Sequence, residues 1–483
     1  MFKFGTNISG DDITMTGKIY LVGAGPGDSG LMTVRGLEVL RRSDVVIYDH
    51  LVGEGVIALI PNNAQRIYAG KIAGHHELSQ KEIESAMIER ALSGKIVVRL
   101  KGGDPFLFGR GGEEAEAIID AGIDFEVIPG VTSAVSVAAY AGIPVTHRNF
   151  CSGVNIFTAH DKRNFIPDFS ETTSIFLMGV GNSESLQRKL LETMRPDTPC
   201  AIIENGTTSK QRTIRTTLSH LHSSIVSKNI NPPSVIVVGK VSSLNLEWRS
   251  KLPLVHKRII ITRPENRAEI LASKLRDMGA EVILLPAIKT RILHGAIDDV
   301  NLSGYDWAGF TSVTGVEALM TLLRENGRDI RELDGKISAI GSATKDALTS
   351  HGLKVDYVPE VFDGYHMAGG LSRLGGKILM FRAENGTPEI DEVFTKYGID
   401  FTNICIYRID YVKLSHVPEF ADIIVFTSSS TVRGFAQSTD SLRETLAVCI
   451  GHQTADEALK AGFSRLRVAE RADIDSLVEA CAR

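Results

Sequence analysis

The chain has 483 residues, 43% of them hydrophobic and 23% charged, and a net charge of −5. That length exceeds what one core fills, the composition excludes a disordered chain, and the slight negative balance excludes a dedicated nucleic-acid or acidic-membrane binder while leaving room for local basic pockets. Five scattered cysteines, none spaced as CxxC, give neither a disulfide framework nor a zinc site and fit a reducing cytoplasm.

Residues 1–16 lack the apolar segment of a signal peptide and the Arg-rich face of a transit peptide, so they read as a flexible extension. No stretch reaches the roughly 18 uninterrupted apolar residues of a membrane helix, so no membrane partner is expected. From Lys18 onward, short apolar runs (Ile19–Val22, Val45–Tyr48, Ile96–Leu100, Ile175–Met178, Val235–Val238) alternate with helical patterns, which predicts α/β layers. The segment Leu31–Arg42 directly follows a Gly-rich turn and reads as its helix.

That turn, Gly23-Ala24-Gly25-Pro26-Gly27-Asp28, invites a dinucleotide reading with Asp49 as the ribose acid. The chemistry argues against it. The third glycine of GxGxxG is replaced by Asp28, whose carboxylate repels a pyrophosphate, and Pro26 removes an N–H donor. A tight turn alone is the competing explanation.

The motifs that follow are YDHLV at Tyr48–Val52, AGKIAGHH at Ala69–His76, VVRLKGGDPFLFGRGGEE at Val97–Glu114 and VIPGVTSAVSVAAYAGIPVTHR at Val127–Arg148. LMGVGN from Leu177 and IENGTTSKQR from Ile202 continue the series. In this order they closely resemble uroporphyrinogen-III C-methyltransferase. The resemblance implies a two-lobed tetrapyrrole methylase fold over 17–250, with S-adenosylmethionine in the cleft. By that likeness, Pro26, Gly102, Gly103, Asp104, Leu107, Thr132, Ser133, Met178 and Gly206 contact the cofactor, Ser133 through its backbone. Bare glycines at 102 and 103 would let the backbone approach an adenosyl group, and Asp104 would accept its hydrogen bonds.

Methyl transfer to an electron-rich pyrrole carbon needs orientation, charge stabilisation and management of one proton. Asp49 and Lys71 match the family's acid–base positions and are expected to accept and to donate that proton. Read alone, Asp49 would cap a turn and Lys71 would be solvated. His75 and His76 have no further ligand at metal-binding spacing, so no metal is expected.

A break lies between Val241 and Lys257, where serines, asparagine and proline interrupt the pattern, and 251–257 reads as a linker. Beyond it three pieces recur in order. ITRPENRAEILASKLRDMGAEV from Ile261 resembles MFRAENGTPEIDEVFTKYGIDF from Met380, with Arg263 over Arg382. YDWAGFTSVTGVEAL from Tyr305 resembles ADIIVFTSSSTVRGF from Ala421, and AIGSATKDALTSHGL from Ala339 resembles CIGHQTADEALKAGF from Cys449. Residues 258–483 thus read as a duplicated two-lobed α/β domain, each copy a lobe, with a ligand in the cleft. A purely structural duplication is the alternative.

The ITRP start, FTSVTGVEAL, IGSAT, FTSSSTV and IGHQTADEAL resemble uroporphyrinogen-III synthase. This implies closure of hydroxymethylbilane to uroporphyrinogen III, with inversion of the last pyrrole and loss of water, and no cofactor. Backbone amides and hydroxyls at strand-to-helix turns would hold the polycarboxylate. Thr311, Ser312, Ser342, Thr344, Thr427, Ser428, Ser429 and Thr454 are the candidates, each equally suited to capping a helix. Tyr407 matches a tyrosine linked with leaving-group departure, or it packs on its sheet. Together the halves would deliver precorrin-2 toward sirohaem or cobalamin, as a homodimer through the methylase. The alternative is a methylase for another corrinoid precursor beside a non-catalytic tetrapyrrole-binding module.

Overall fold

The computed structural model describes residues 17–70, 78–159 and 171–483. Strand β1 (Lys18–Gly23) serves two cores at once. Ile19 and Leu21 join Ile47, Met87, Val97 and Ile118 on one side, and Tyr20 and Val22 join Val39, Leu40, Val56 and Val98 on the other. A strand covered on both faces needs a continuous apolar run, which KIYLVG supplies. With β2 (Val45–Tyr48), β3 (Gln65–Tyr68), β4 (Ile96–Lys101) and β5 (Phe125–Ile128) it forms a parallel sheet of order β3-β2-β4-β1-β5. The helix expected at Leu31–Arg42 runs only from Val34 to Arg41. Asp28 accepts from the Gly30 amide and caps a separate 3₁₀ turn, Ser29–Leu31, after which Thr33 caps the helix proper.

The second lobe holds β6 (Gly153–Thr158), β7 (Thr172–Leu177), β8 (Pro199–Glu204), β9 (Arg212–Thr217) and β10 (Ser234–Val238), ordered β6-β7-β10-β8-β9 with only the β6–β7 pair parallel. Helix Ser133–Tyr140 leaves the first lobe and buries Ala134, Val137 and Ala138 against Ile175, Ala201, Ile203 and Val235 of this sheet. Its apolar face therefore fixes one lobe against the other.

The second half contains β11 (Arg258–Ile261), β12 (Glu281–Leu284), β13 (Ile288–Ile292), β14 (Trp307–Phe310), β15 (Lys336–Ala339), β16 (Ile378–Ala383), β17 (Phe401–Tyr411), β18 (Ile423–Phe426), β19 (Leu446–Cys449) and β20 (Leu466–Val468). They form two sheets, β12-β11-β18-β19-β20 and β13-β17-β16-β14-β15. Two lobes are present, but the expectation of one sequence copy per lobe is corrected. The first copy gives β11 and β12 to one sheet and β14 and β15 to the other. The second copy gives β16 and β17 to the latter and β18 and β19 to the former. Each lobe is half of each copy, and the chain crosses the cleft twice, so neither copy has a complete core of its own.

Between Ser243 and Arg258 only turns occur, yet this segment is docked on both sides. The Trp248 indole donates to the Ala139 carbonyl at 3.1 Å, Arg249 lies 4.7 Å over the Tyr140 ring and donates to the Gly279 carbonyl, and Leu254 is buried in the β11–β12 lobe. The halves also touch directly. The Ser209 amide and hydroxyl donate to Glu281 at 2.8 and 2.6 Å, Glu281 pairs with Arg258 at 2.9 Å, and Glu54 pairs with His416. Among the described residues no helix is long and apolar enough to cross a membrane.

Candidate functional sites

Three turns meet at the C-terminal ends of β1, β4 and β5. The Ala24 amide donates to the Lys101 carbonyl at 2.8 Å, and Gly25 and Gly103 exchange backbone bonds of 2.7 and 3.2 Å. Asp104, expected to receive donors from a ligand, already accepts the Phe106 amide on Oδ1 (2.8 Å) and the Gly130 amide on Oδ2 (3.0 Å), which ties the turn after β4 to that after β5. Each oxygen keeps one further acceptor site. The glycines also answer to packing within the protein. A Cβ at Gly102 would lie 2.7 Å from Leu51 Cβ, so close packing of the Asp49–Val52 turn excludes a side chain there. Gly103 has φ +68°, where L side chains are strained, and at Gly206 a Cβ would meet Val137 at 2.4 Å.

The second lobe closes over these turns. The Tyr140 hydroxyl donates to Asp28 Oδ2 at 2.9 Å, the Asp28 amide donates to Thr207 Oγ1, and Gln211 links the Thr207 amide to the Tyr140 carbonyl. Burial beside Asp28 pushes the Tyr140 phenol well up, so it remains the donor. Pro26 is half-buried in the turn. Thr132 caps the helix that starts at Ser133, and Leu107 packs on the second-lobe core. Met178 is exposed with φ +56°, and Phe108, Arg110, Asn205 and Thr207 also have positive φ. Such strained non-glycine backbone gathers where binding demands it.

Asp49 follows β2, accepts the Leu51 amide at 3.0 Å and pairs with Arg99 at 3.3 Å. Behind it lies a cluster that the sequence reading did not single out. Arg99 and Lys101 are each 4% exposed and Glu114 is fully buried. Arg99 Nε donates to Glu114 at 3.0 Å, and Lys101 Nζ donates to both Glu114 oxygens at 2.9 Å. Burial first, then Arg99, lowers the Lys101 pKa. The available signal was two cations at i and i+2 on an otherwise apolar strand, hence on one face of a buried sheet. Lys71, and with it His75 and His76, lies outside the described residues. Among the described residues no cluster of His, Cys, Asp or Glu is arranged to hold a metal ion.

In the second half, Tyr407 on β17 is 5% exposed and its hydroxyl is 2.8 Å from Ser312 Oγ. Burial raises its pKa. Ser312 caps the helix Val313–Glu325, and Arg267 of the other lobe donates to Thr314 Oγ1 at 2.6 Å across the cleft. Thr311 shares that strand end. Thr427, Ser428 and Ser429 occupy the equivalent end of β18, where Ser428 caps the next helix. Ser342 is exposed, whereas Thr344 and Thr454 are buried inside the first turns of helices capped by Gly341 and Gly451.

Residues 18–222 match the tetrapyrrole (corrin/porphyrin) methylases, and residues 269–479 match uroporphyrinogen-III synthase HemD. The chain is 40% identical to the porphyrin biosynthesis protein HemD of Ruminiclostridium josui, over 96% of this chain and 97% of that one. It is 36% identical to a uroporphyrinogen-III C-methyltransferase of Bacillus subtilis, over 71% and 73% respectively. A crystal structure of uroporphyrin-III-C-methyltransferase from Thermus thermophilus shares 37% identity over 48% of this chain and 97% of that chain, with a TM-score of 0.43.

Proposed function

Because the chain belongs to the family in which a tetrapyrrole methylase, here a uroporphyrinogen-III C-methyltransferase, is fused to a uroporphyrinogen-III synthase, we propose that it performs two consecutive reactions. The second half closes hydroxymethylbilane to uroporphyrinogen III with inversion of the last ring. The first half methylates that product twice to precorrin-2, for sirohaem or cobalamin. Supporting this reading most directly is the single chain's match to both families, side by side and in full order.

In the first half the donor is S-adenosylmethionine, which supplies an electrophilic methyl group on a sulfonium. The crevice suits a cation better than a phosphate. Asp28 stands at the 3₁₀ N-terminus where an anion would sit, Pro26 offers no N–H, and Asp104 retains acceptor sites. Methylation makes the attacked pyrrole carbon quaternary and leaves an iminium-like charge on the ring, and Asp49 takes the proton that the ring then sheds from nitrogen or an adjoining bridge carbon, its carboxylate held in direction by Arg99 and the Leu51 amide. Lys71 is the proposed proton donor. In the second half the buried Tyr407 phenol, oriented by Ser312, protonates the departing hydroxyl, which leaves as water. The chain works in a reducing cytoplasm, as its five free cysteines suit, and pairs as a homodimer through the methylase half.

Transfer of labelled methyl from S-adenosylmethionine to uroporphyrinogen III tests the first half. Two methyl groups per macrocycle are expected, with Asp49→Asn slowing transfer by about a hundredfold. No transfer to uroporphyrinogen III would move this half to another tetrapyrrole.

A further inference from the structure

The duplication in the second half provides an internal comparison. Ile261–Val282 aligns without gaps on Met380–Phe401, which puts Arg263 on Arg382 and Ala272 on Asp391. Arg382 is a buried, satisfied cation. It is 5% exposed, one nitrogen donates to Asp391 Oδ1 at 2.5 Å, and another donates to the Thr387 carbonyl. The first copy keeps the arginine but has lost the acid, because Ala272 is fully buried in the core of its lobe. Among the described residues, no carboxylate lies within ion-pair reach of Arg263.

One helical turn on, Arg267 stands where the second copy has Gly386. It too has no ion-pair partner among the described residues, and its one hydrogen bond runs to Thr314 across the cleft. Arg263 and Arg267 are both half-buried. Burial lowers the pKa of each; the Arg267 charge lowers Arg263 further, whereas Tyr407 and the more distant Glu317 partly oppose the shift at Arg267. Two adjacent half-buried cations with no carboxylate in contact among the described residues are costly to maintain. Their position is specific. Arg263 follows the C-terminal end of β11, and Arg267 reaches the helix whose cap, Ser312, touches Tyr407.

We propose that Arg263 and Arg267 recognise carboxylates of the linear tetrapyrrole in the synthase cleft, drawing both lobes around it beside Tyr407. This rests on the reading of the second half as a synthase. The planar fork of arginine matches a carboxylate in two bonds, and a substrate rich in carboxylates supplies the anions that Asp391 supplies to Arg382. They act as specificity residues, and Tyr407 remains the group placed at the leaving hydroxyl.

The test uses the full chain with hydroxymethylbilane, scoring the III isomer by chromatography. Arg263→Ala and Arg267→Ala are each expected to raise KM about tenfold, the loss of one hydrogen bond to a charged group, and to do so with a smaller change in kcat. The wild-type KM should climb with added salt, and the double variant should lose most of that dependence. Arg→Lys at either position should restore part of the affinity, since charge returns without the fork, and these variants serve also if the alanine forms fold poorly. Methylation of uroporphyrinogen III supplied directly reports on the integrity of each variant. A double variant that makes the III isomer with KM and salt dependence within twofold of wild type would overturn the assignment. Absence of any III isomer from the wild-type chain would instead overturn the synthase reading, and the assignment with it.

Discussion

At the methylase site four charged side chains, Asp49, Arg99, Lys101 and Glu114, neutralise one another inside the protein. In the second half Arg263 and Arg267 have no ion pair among the described residues, Glu317 acting on Arg267 only from a distance, while Arg382, the counterpart of Arg263, pairs with Asp391. The two sites therefore treat buried charge in opposite ways. The first prebuilds its electrostatics, so that under the proposed function the reacting carbon and the methyl donor would meet a fixed carboxylate. The second leaves cations open, and under the proposal above the substrate's carboxylates would complete the site on binding.

That contrast can be broken from the first side. Glu114→Gln would leave Lys101 and Arg99 buried without their carboxylate, at a cost of about 3–5 kcal/mol in unfolding free energy measured by denaturant titration. Adding Lys101→Met should recover much of the loss. A change below about 1 kcal/mol, the size seen for an exposed pair, would show that this site is not self-neutralised.

From the second side, Tyr407→Phe removes only the hydroxyl bonded to Ser312. Cyclisation is expected to slow by about a hundredfold with the unfolding midpoint nearly unchanged, the product shifting toward the I isomer formed without enzyme. Normal turnover would return Tyr407 to a packing role.

A smaller effect sharpens the comparison at the seam between the halves. The hydrogen bond from His416 holds the Glu54 carboxyl below its usual range, against an opposing burial effect. A carboxylate depressed in the folded state contributes stability that is complete above its unfolded pKa, about 4.3, and is lost as pH falls through the lower folded value. Protection from hydrogen exchange around 54–62 and 414–417 should therefore fall below about pH 4 in the wild type. In Glu54→Gln it should already be reduced at neutral pH, with a flatter acid profile. Identical profiles would remove the pair from the seam.

Much of this was legible in the chain. Apolar runs gave β1, β2 and β4 nearly residue for residue, because strands buried on both faces carry unbroken hydrophobic signal. The repeats were visible as well, but not their interleaving, since similarity between segments says nothing about which sheet each strand joins. The pairing of Arg99, Lys101 and Glu114 is not legible in the motif that contains them, because it depends on a helix folding back over β4. At Gly102 the packing against Leu51 is a second demand for a bare backbone that a linear sequence does not display. At the helices that begin with Ser342 and His452 the capping positions fall to the extended Gly341 and Gly451, and Thr344 and Thr454 lie buried within the first turn, a shift that the hydroxyl pattern alone does not display.

The most direct test of two cooperating sites in one chain is to give the purified protein hydroxymethylbilane anaerobically, with and without S-adenosylmethionine, and to separate the products. Uroporphyrinogen III without the donor, and a dimethylated dipyrrocorphin with it, is the predicted result. Uroporphyrinogen I alone, or a III isomer that stays unmethylated in the presence of the donor, would contradict it.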